Sequence, residues 1–555
     1  MTMLAMARMP PGALAQTLST AENRKGGVVV TSPFVSMPNV GAGHHPKPYF
    51  TAQQIAENLT FAEAGRVGGT DNRGNLIWTY AALDLLDSTK VEVRGLMEKK
   101  KKITPKRTVL FFIAPNILAG NVCDKSCWAW YHAEIKKHSQ AMVFGLGIQI
   151  HVGSGWDVEA MMRETLPPHQ AEAMRSAASI ASTIWVRGEL TAHVLKNAGV
   201  ANVDPIGCVS QLLHRNPRLG HILSAGFEHV RKVFPKTADG RGCGNDVKFI
   251  DTLGQNCSRW HPGTGHNCTL PPNGTGTMAG YSDQEMDRVR THCPFACGTC
   301  RGRQLRIAMA MPTVLPPGTS AKAKENQETL VRAMNTLLAQ NKESVVIAQT
   351  KYDSSLLWPE NLGQIRHFYD VRKWREFLGG TGASATGFGH DRPFDFFIGG
   401  RIHGSMAAIS VGVPTVIIPN DYRILELAEV MRLPIIRELD RANPGTSVEQ
   451  FFAPTFDPDA FDAHRVDVAR KLVAHFAEEG VSLNPEVAKL ASGVQINGQA
   501  AGTGGNIRHP QEHPGIEARI AAMERERVLL LREQELMAEL ADLRRQTGPN
   551  RINNE

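Results

Sequence analysis

The stretch FDFFIGGRIHGSMAAISVGVPTVIIPND, residues 394–421, reads as a buried strand, a glycine turn, a helix and a second strand. Nearly continuous apolar strands of this kind belong to parallel sheets covered on both faces. The turn delivers two cationic side chains, Arg401 and His403, to the mouth of the helix. In a parallel α/β unit ligands bind beyond the carboxyl ends of the strands, and the exposed N–H groups at a helix start favour an anion there. Gly399 and Gly400 permit close backbone approach. Arg401 offers a forked, permanent charge suited to carboxylate or phosphate, and His403 a proton donor or acceptor that ordinarily titrates near neutrality. Spacing alone leaves two readings open: a small-anion site with acid–base work to do, or a glycine turn with a capping histidine and a surface arginine.

The same alternation extends outward. TVLFFIA (108–114), MVFGLGIQI (142–150) and ASTIWVRG (181–188) read as buried parallel strands, and ELTAHVLKNAGV as a helix ended by Gly199. RQLRIAMAM (303–311), SVVIAQT (344–350) and PTVIIP (414–419) repeat the pattern. Two α/β halves, 51–239 and 302–480, separated by a small insert at 240–301, are the simplest organisation. Residues 1–50, rich in Gly, Pro and Ser, read as a flexible leader, and 481–515 as a linker. Residues 516–546 carry apolar side chains at Ile516, Ile520, Met523, Leu530, Met537 and Leu540 with Glu and Arg between them, the pattern of an amphipathic helix. Arg527 and Gln534 fall at seam positions, so that helix reads either as a self-associating coiled coil or as one packed on its own chain.

Composition is that of an ordinary globular protein: 555 residues, 42% hydrophobic and 21% charged. The net charge of +7 is not gathered into one basic face, which argues against a nucleic-acid partner. The one dense run, Lys99 to Lys102 with Lys106 and Arg107, reads as a solvated loop. No stretch reaches the roughly 18 apolar residues of a membrane span, and the start, MTMLAMARMPPGALAQ, lacks a clean signal-peptide core.

Six of the nine cysteines fall in the insert: Cys243, Cys257, Cys268, Cys293, Cys297 and Cys300. A segment this short and this poor in aliphatics needs disulfides or metal to fold. Only one end is tight, as CPFACGTC, whereas thiolate zinc sites pair two tight knuckles, so three disulfides are the better reading and no metal is expected. Disulfides persist in oxidising compartments, and three sequons, at Asn256, Asn267 and Asn273, lie in the same segment. Together they favour the secretory pathway, Golgi lumen or extracellular, with the cytoplasm as the alternative. Cys123, Cys127 and Cys208 read as ordinary thiols. NCSRWHPGTGHNC and HCPFACGTC resemble the ShK toxin-like domain. That resemblance implies the pairs Cys243–Cys300, Cys257–Cys293 and Cys268–Cys297.

Other landmarks point to strand ends. WVRGE puts Arg187 at one, FGLGIQ puts Gly145, Gly147 and Gln149 at another, and GGTDNRGNLIWTYA places Asn72, Gly74 and Asn75 in a polar loop before a helix. The set formed by RGNLIWTYAA, FGLGIQ, WVRGELTAHVLKNAGV, IGCVSQLLHRNPRLG, AQTKYDSSLLW and the opening stretch resembles the polysaccharide pyruvyltransferase family from about residue 60 to 440, the insert excepted. Gly-x-Arg-x-His-Gly followed by Gly-Val-Pro is its most specific part; Val209 stands where relatives often have Pro, and Gly400 where Thr is common. The resemblance implies two Rossmann-like domains facing a cleft, as in GT-B glycosyltransferases. It also implies transfer of pyruvate from phosphoenolpyruvate to a sugar of a glycan, forming a ketal.

On that reading phosphoenolpyruvate is the donor substrate, no bound cofactor is required, and a glycan is the acceptor. The donor carries a carboxylate and a phosphate, for which Arg401, Arg187 and Arg423 are the candidate cations, and His403 is the candidate proton carrier. Gly399, Gly400, Asn75 and Gln149 complete the expected substrate-binding set. Two other functions fit parts of the sequence: a GT-B glycosyltransferase using a nucleotide sugar, and a non-catalytic glycan- or protein-binding protein acting through the ShK-like module.

Overall fold

Apolar runs of β-branched and aromatic residues assemble into two parallel sheets in a computed structural model of the chain. It describes residues 28–32, 74–95, 108–113, 116–118, 125–148, 166–233, 251, 254, 282–293, 305–312, 321–341, 343–350, 352–368, 370–380, 393–419, 422–436, 451–452 and 454–493. The chain divides into two units, 1–496 and 497–555, and every described residue lies in the first. The helix expected at 516–546 therefore lies outside the described residues, as do Gln149, the three sequon asparagines and Cys243, Cys257, Cys268, Cys297 and Cys300.

The first sheet contains β1 (Val28–Ser32), β2 (Val91–Gly95), β3 (Thr108–Ile113), β4 (Asn116–Leu118), β5 (Ala141–Ile148), β6 (Ile184–Val186) and β7 (Val203–Pro205). They run in the order β2-β1-β3-β5-β6-β7, with β4 paired to β5. The second contains β8 (Ile307–Ala310), β9 (Val345–Ala348), β10 (Ile365–His367), β11 (Phe396–Gly399) and β12 (Thr415–Ile417), in the order β10-β9-β8-β11-β12. Every pairing between these strands is parallel. The second sheet grows from β8 toward one edge and then resumes on its other side with β11. In an open parallel sheet that reversal opens a crevice at the carboxyl ends of the two strands.

Helices join the strands: α1 (Asn75–Leu83), α2 (Lys125–Ile135), α3 (Pro168–Ala178), α4 (Glu189–Asn197) and α5 (Leu219–Val233) in the first half. Next come α6 (Asp283–His292), α7 (Ala321–Gln340), α8 (Val371–Gly379), α9 (Ile402–Ile409) and α10 (Tyr422–Val430), and last α11 (Pro458–Glu478) and α12 (Pro485–Ser492). Among the described residues no helix is long and apolar enough to cross a membrane, and no cluster of His, Cys, Asp or Glu could hold a metal.

Three boundaries differ from the sequence expectation. The leader contains β1, VVVTS, which pairs with both β2 and β3. Five β-branched or small residues with a partner on each side form a strand, although the fifty residues around them are loop-like in composition. The linker assigned from 481 contains α12, opened by Pro485 after the Asn484 cap and closed by Gly493 in the left-handed region. Finally, α11 falls in the segment assigned to the second half but packs on the first. Phe476 lies 6.1 Å from Phe144 of β5, and His475 meets Trp185 of β6 edge-on at 5.2 Å. The fully buried Arg465 donates to the backbone carbonyls of Gln211 at 2.8 Å and Asn216 at 2.9 Å, and to that of His214. The chain thus returns from the second sheet to brace the first. On α5, Phe227 meets Phe396 of β11 edge-on at 5.7 Å, which ties the two sheets into one core. Phe476→Ala should cost about 3–5 kcal/mol in denaturant unfolding, as large-to-small changes at buried phenylalanines do. A loss below about 1 kcal/mol would show that α11 does not brace the first sheet.

Candidate functional site

The reversal of strand order between β8 and β11 is where Arg401 and His403 stand. Gly400 donates its N–H to Ala310 O at 2.8 Å, and the chain turns directly into α9. Both glycines are required by close packing rather than by an open approach to solvent. A Cβ at Gly399 would fall 1.8 Å from Ser405 Oγ, and one at Gly400 would fall 2.7 Å from Pro312 N. The turn is therefore tight, and Arg401 leaves it in one direction only.

Asp353 sets that direction. Its fully buried carboxylate accepts from Arg401 Nη2 at 2.7 Å, and the same Nη2 reaches Pro312 O at 3.2 Å. The other carboxylate oxygen accepts the backbone N–H of Gln349 at 2.7 Å and of Thr350 at 3.2 Å. One carboxylate thus holds the loop after β9 and the arginine after β11 together. Burial lowers the Arg401 pKa, and Asp353 offsets only part of that. Arg401 Nε is buried without a partner among the described residues.

His403, two residues on, is 8% exposed, and its Nε2 also has no partner among the described residues. Burial, then the charges of Arg187 and Arg401, push its pKa down to about 3. The expectation of a histidine titrating near neutrality is corrected here: the imidazole is neutral at pH 7, a proton acceptor.

Arg187 arrives from the first half. It follows β6, donates its Nε to Gly145 O at 3.1 Å and its N–H to Leu146 O at 2.9 Å, and is buried. Gly145 of the FGLGIQ motif, at φ +68°, thus seats the arginine through its carbonyl. Arg187 also acts on Glu426 of α10. The Glu426 carboxylate accepts the Thr191 N–H at 3.0 Å and that of Leu190, across the join between the halves at the start of α4. It leaves no room for a side chain at Gly188, whose Cβ would lie 2.1 Å from Glu426 Cγ. Burial raises the Glu426 pKa to about 7, partly offset by those two N–H groups and by Arg187.

Of the expected residues, Gly399, Gly400, Arg401 and His403 form one turn, and Arg187 is close enough for its charge to act on His403. Asn75 begins α1, which packs against α9, and its Oδ1 accepts from Trp78 Nε1 at 3.1 Å. Arg423 is half-buried on α10, three residues before Glu426 and so on the same helix face. Asp353, Gln349 and Glu426 are additions that sequence reasoning missed. The insert contributes α6, opened by a reciprocal Ser282–Glu285 capping box, and Cys293, which is buried and disulfide-bonded. Cys208 is a buried free thiol.

No protein-family model matches the chain, and neither does any curated protein sequence.

The raised pKa of Glu426 has a consequence for stability. Its folded value lies above its ordinary 4.5, so its contribution is full below about pH 4.5 and is lost as pH rises through about 7. Glu426→Gln keeps an acceptor for the Thr191 N–H but cannot ionise. Relative to this variant the wild type should lose melting temperature steadily across that window. Parallel Tm–pH profiles would show that Glu426 does not titrate there.

Proposed function

We propose that the protein transfers the pyruvyl group of phosphoenolpyruvate to a sugar of a glycan, forming a pyruvate ketal. The observation that carries this reading is the convergence of two buried arginines, Arg401 and Arg187, on a neutral histidine at the strand-order reversal of the second sheet. A donor with both a carboxylate and a phosphate needs more than one fixed cation, and a hydroxyl nucleophile needs a base. Two Rossmann-like domains of GT-B type, with the returning α11, are the architecture we assign to this activity. Tyr352, 56% exposed and adjacent to Asp353, offers an aromatic face to a sugar. The ShK-like disulfide pairs and the secretory location belong to the same proposal. Disulfide-bonded Cys293 supports them.

The reaction balances as follows. The enol carbon forms two C–O bonds to two sugar hydroxyls, and its C–O bond to phosphate breaks. Of the two hydroxyl protons, one ends on the donor's methylene carbon, making a methyl group, and the other leaves on phosphate. Neutral His403 accepts a sugar hydroxyl proton through Nε2. Arg401 and Arg187 hold the donor's anionic groups and stabilise the phosphate as it departs.

Full-length protein incubated with phosphoenolpyruvate and galactose-, mannose- or glucosamine-bearing glycans should release phosphate only when donor and acceptor are both present. His403→Ala should lower turnover at least a hundredfold without unfolding, the scale of a lost general base. Nucleotide-sugar transfer without phosphoenolpyruvate turnover, or near-normal turnover in a folded His403→Ala, would overturn the reading.

A further inference from the structure

Gln349, the first residue after β9, is 1% exposed, yet neither its Nε2 nor its Oε1 has a partner among the described residues. An unpaired buried amide is costly, and native proteins keep one where something else satisfies it. Its place is closely defined. The Gln349 backbone N–H is held by the same Asp353 carboxylate that holds Arg401. Its side chain lies against the first turn of α9, so that a Cβ on Gly404 would sit 2.5 Å from Gln349 Nε2. Beside it, Arg401 Nε and His403 Nε2 are also buried without partners among the described residues.

We infer that Gln349 binds the phosphate group of the ligand at this site. A carboxylate at neutral pH only accepts hydrogen bonds, so it would satisfy the amide's Nε2 and leave Oε1 unpaired. A hydrogenphosphate offers both an oxygen that accepts from Nε2 and a P–OH that donates to Oε1. One planar amide therefore reads hydrogenphosphate, the form in which phosphate leaves, rather than a carboxylate. Arg401 Nε and the first N–H groups of α9 supply the remaining donors. The inference deepens the pyruvyl-transfer reading and rests on it for the identity of the donor; the phosphate chemistry is testable without it.

The test is calorimetric titration of full-length protein with inorganic phosphate and, separately, with pyruvate, for wild type, Gln349→Leu and Gly404→Ala. Gln349→Leu should weaken phosphate binding about tenfold or more and leave pyruvate binding unchanged. It should unfold at the same temperature or higher, because it removes an unpaired polar group from the interior. Gly404→Ala, which displaces the amide while Arg401 and His403 stay in the chain, should weaken phosphate in the same way. Unaltered phosphate affinity in a folded Gln349→Leu, or no phosphate binding by the wild type, overturns the inference. If phosphate binding depends on Gln349 but phosphoenolpyruvate is never turned over, the inference stands and the pyruvyl-transfer reading falls.

Discussion

The buried pair between Asp353 and Arg401 is the contact on which the site depends. Asp353 is fully buried and Arg401 nearly so, and each charge is tolerable only because of the other and the backbone groups around them. Breaking such a pair by removing one partner costs about 3–5 kcal/mol, because it strands a charge in the interior. What the pair secures is geometry. It joins the loop after β9 to the turn after β11, across the intervening β8, and so assembles one surface from three strand ends. Arg401 uses one nitrogen for both Asp353 and Pro312, and its Nε is buried without a partner among the described residues.

Electrostatics follow from that arrangement. Burial first, and then the charges of the two arginines, disfavour the imidazolium, so the site rests with His403 neutral. On the proposed reading, an anionic donor seated between the arginines would offset their charge and raise the histidine pKa, preparing the imidazole to receive a proton. The arginine from the first half is held in its own way, by the carbonyl of Gly145 and in the field of Glu426. Glu426 sits on an element of the second half while capping a helix of the first, and α11 returns to pack under β5 and β6. The two halves therefore place their arginines relative to each other through buried contacts.

Much of this architecture was legible in the sequence. The strands at 108–113, 141–148, 184–186, 307–310, 345–348, 396–399 and 415–417 are the runs whose apolar continuity stands out, because strands buried on both faces have no polar period. Short edge strands such as β10, whose residues are half-buried or exposed, carry no such signal. Arg401 and His403 stand out in the sequence because an arginine and a histidine at a glycine turn demand a reason. Gln349 and Asp353 were not, since an isolated Gln and Asp after a strand look like any polar loop until the fold brings them under α9. Glu426 lies mid-helix, and its burial comes from a partner more than two hundred residues away in sequence. The destination of α11 was illegible for the same reason: its amphipathic pattern says that one face is covered, not by what.

The central claim is that this site protonates the methylene of phosphoenolpyruvate while two sugar hydroxyls add to the neighbouring carbon. Carrying out the reaction in D2O and examining the glycan product by NMR reads that step directly. The account predicts a ketal whose methyl group has taken up one deuterium per transfer, with one phosphate released for each. A product that retains its vinyl methylene, or a ketal methyl without deuterium, would contradict it.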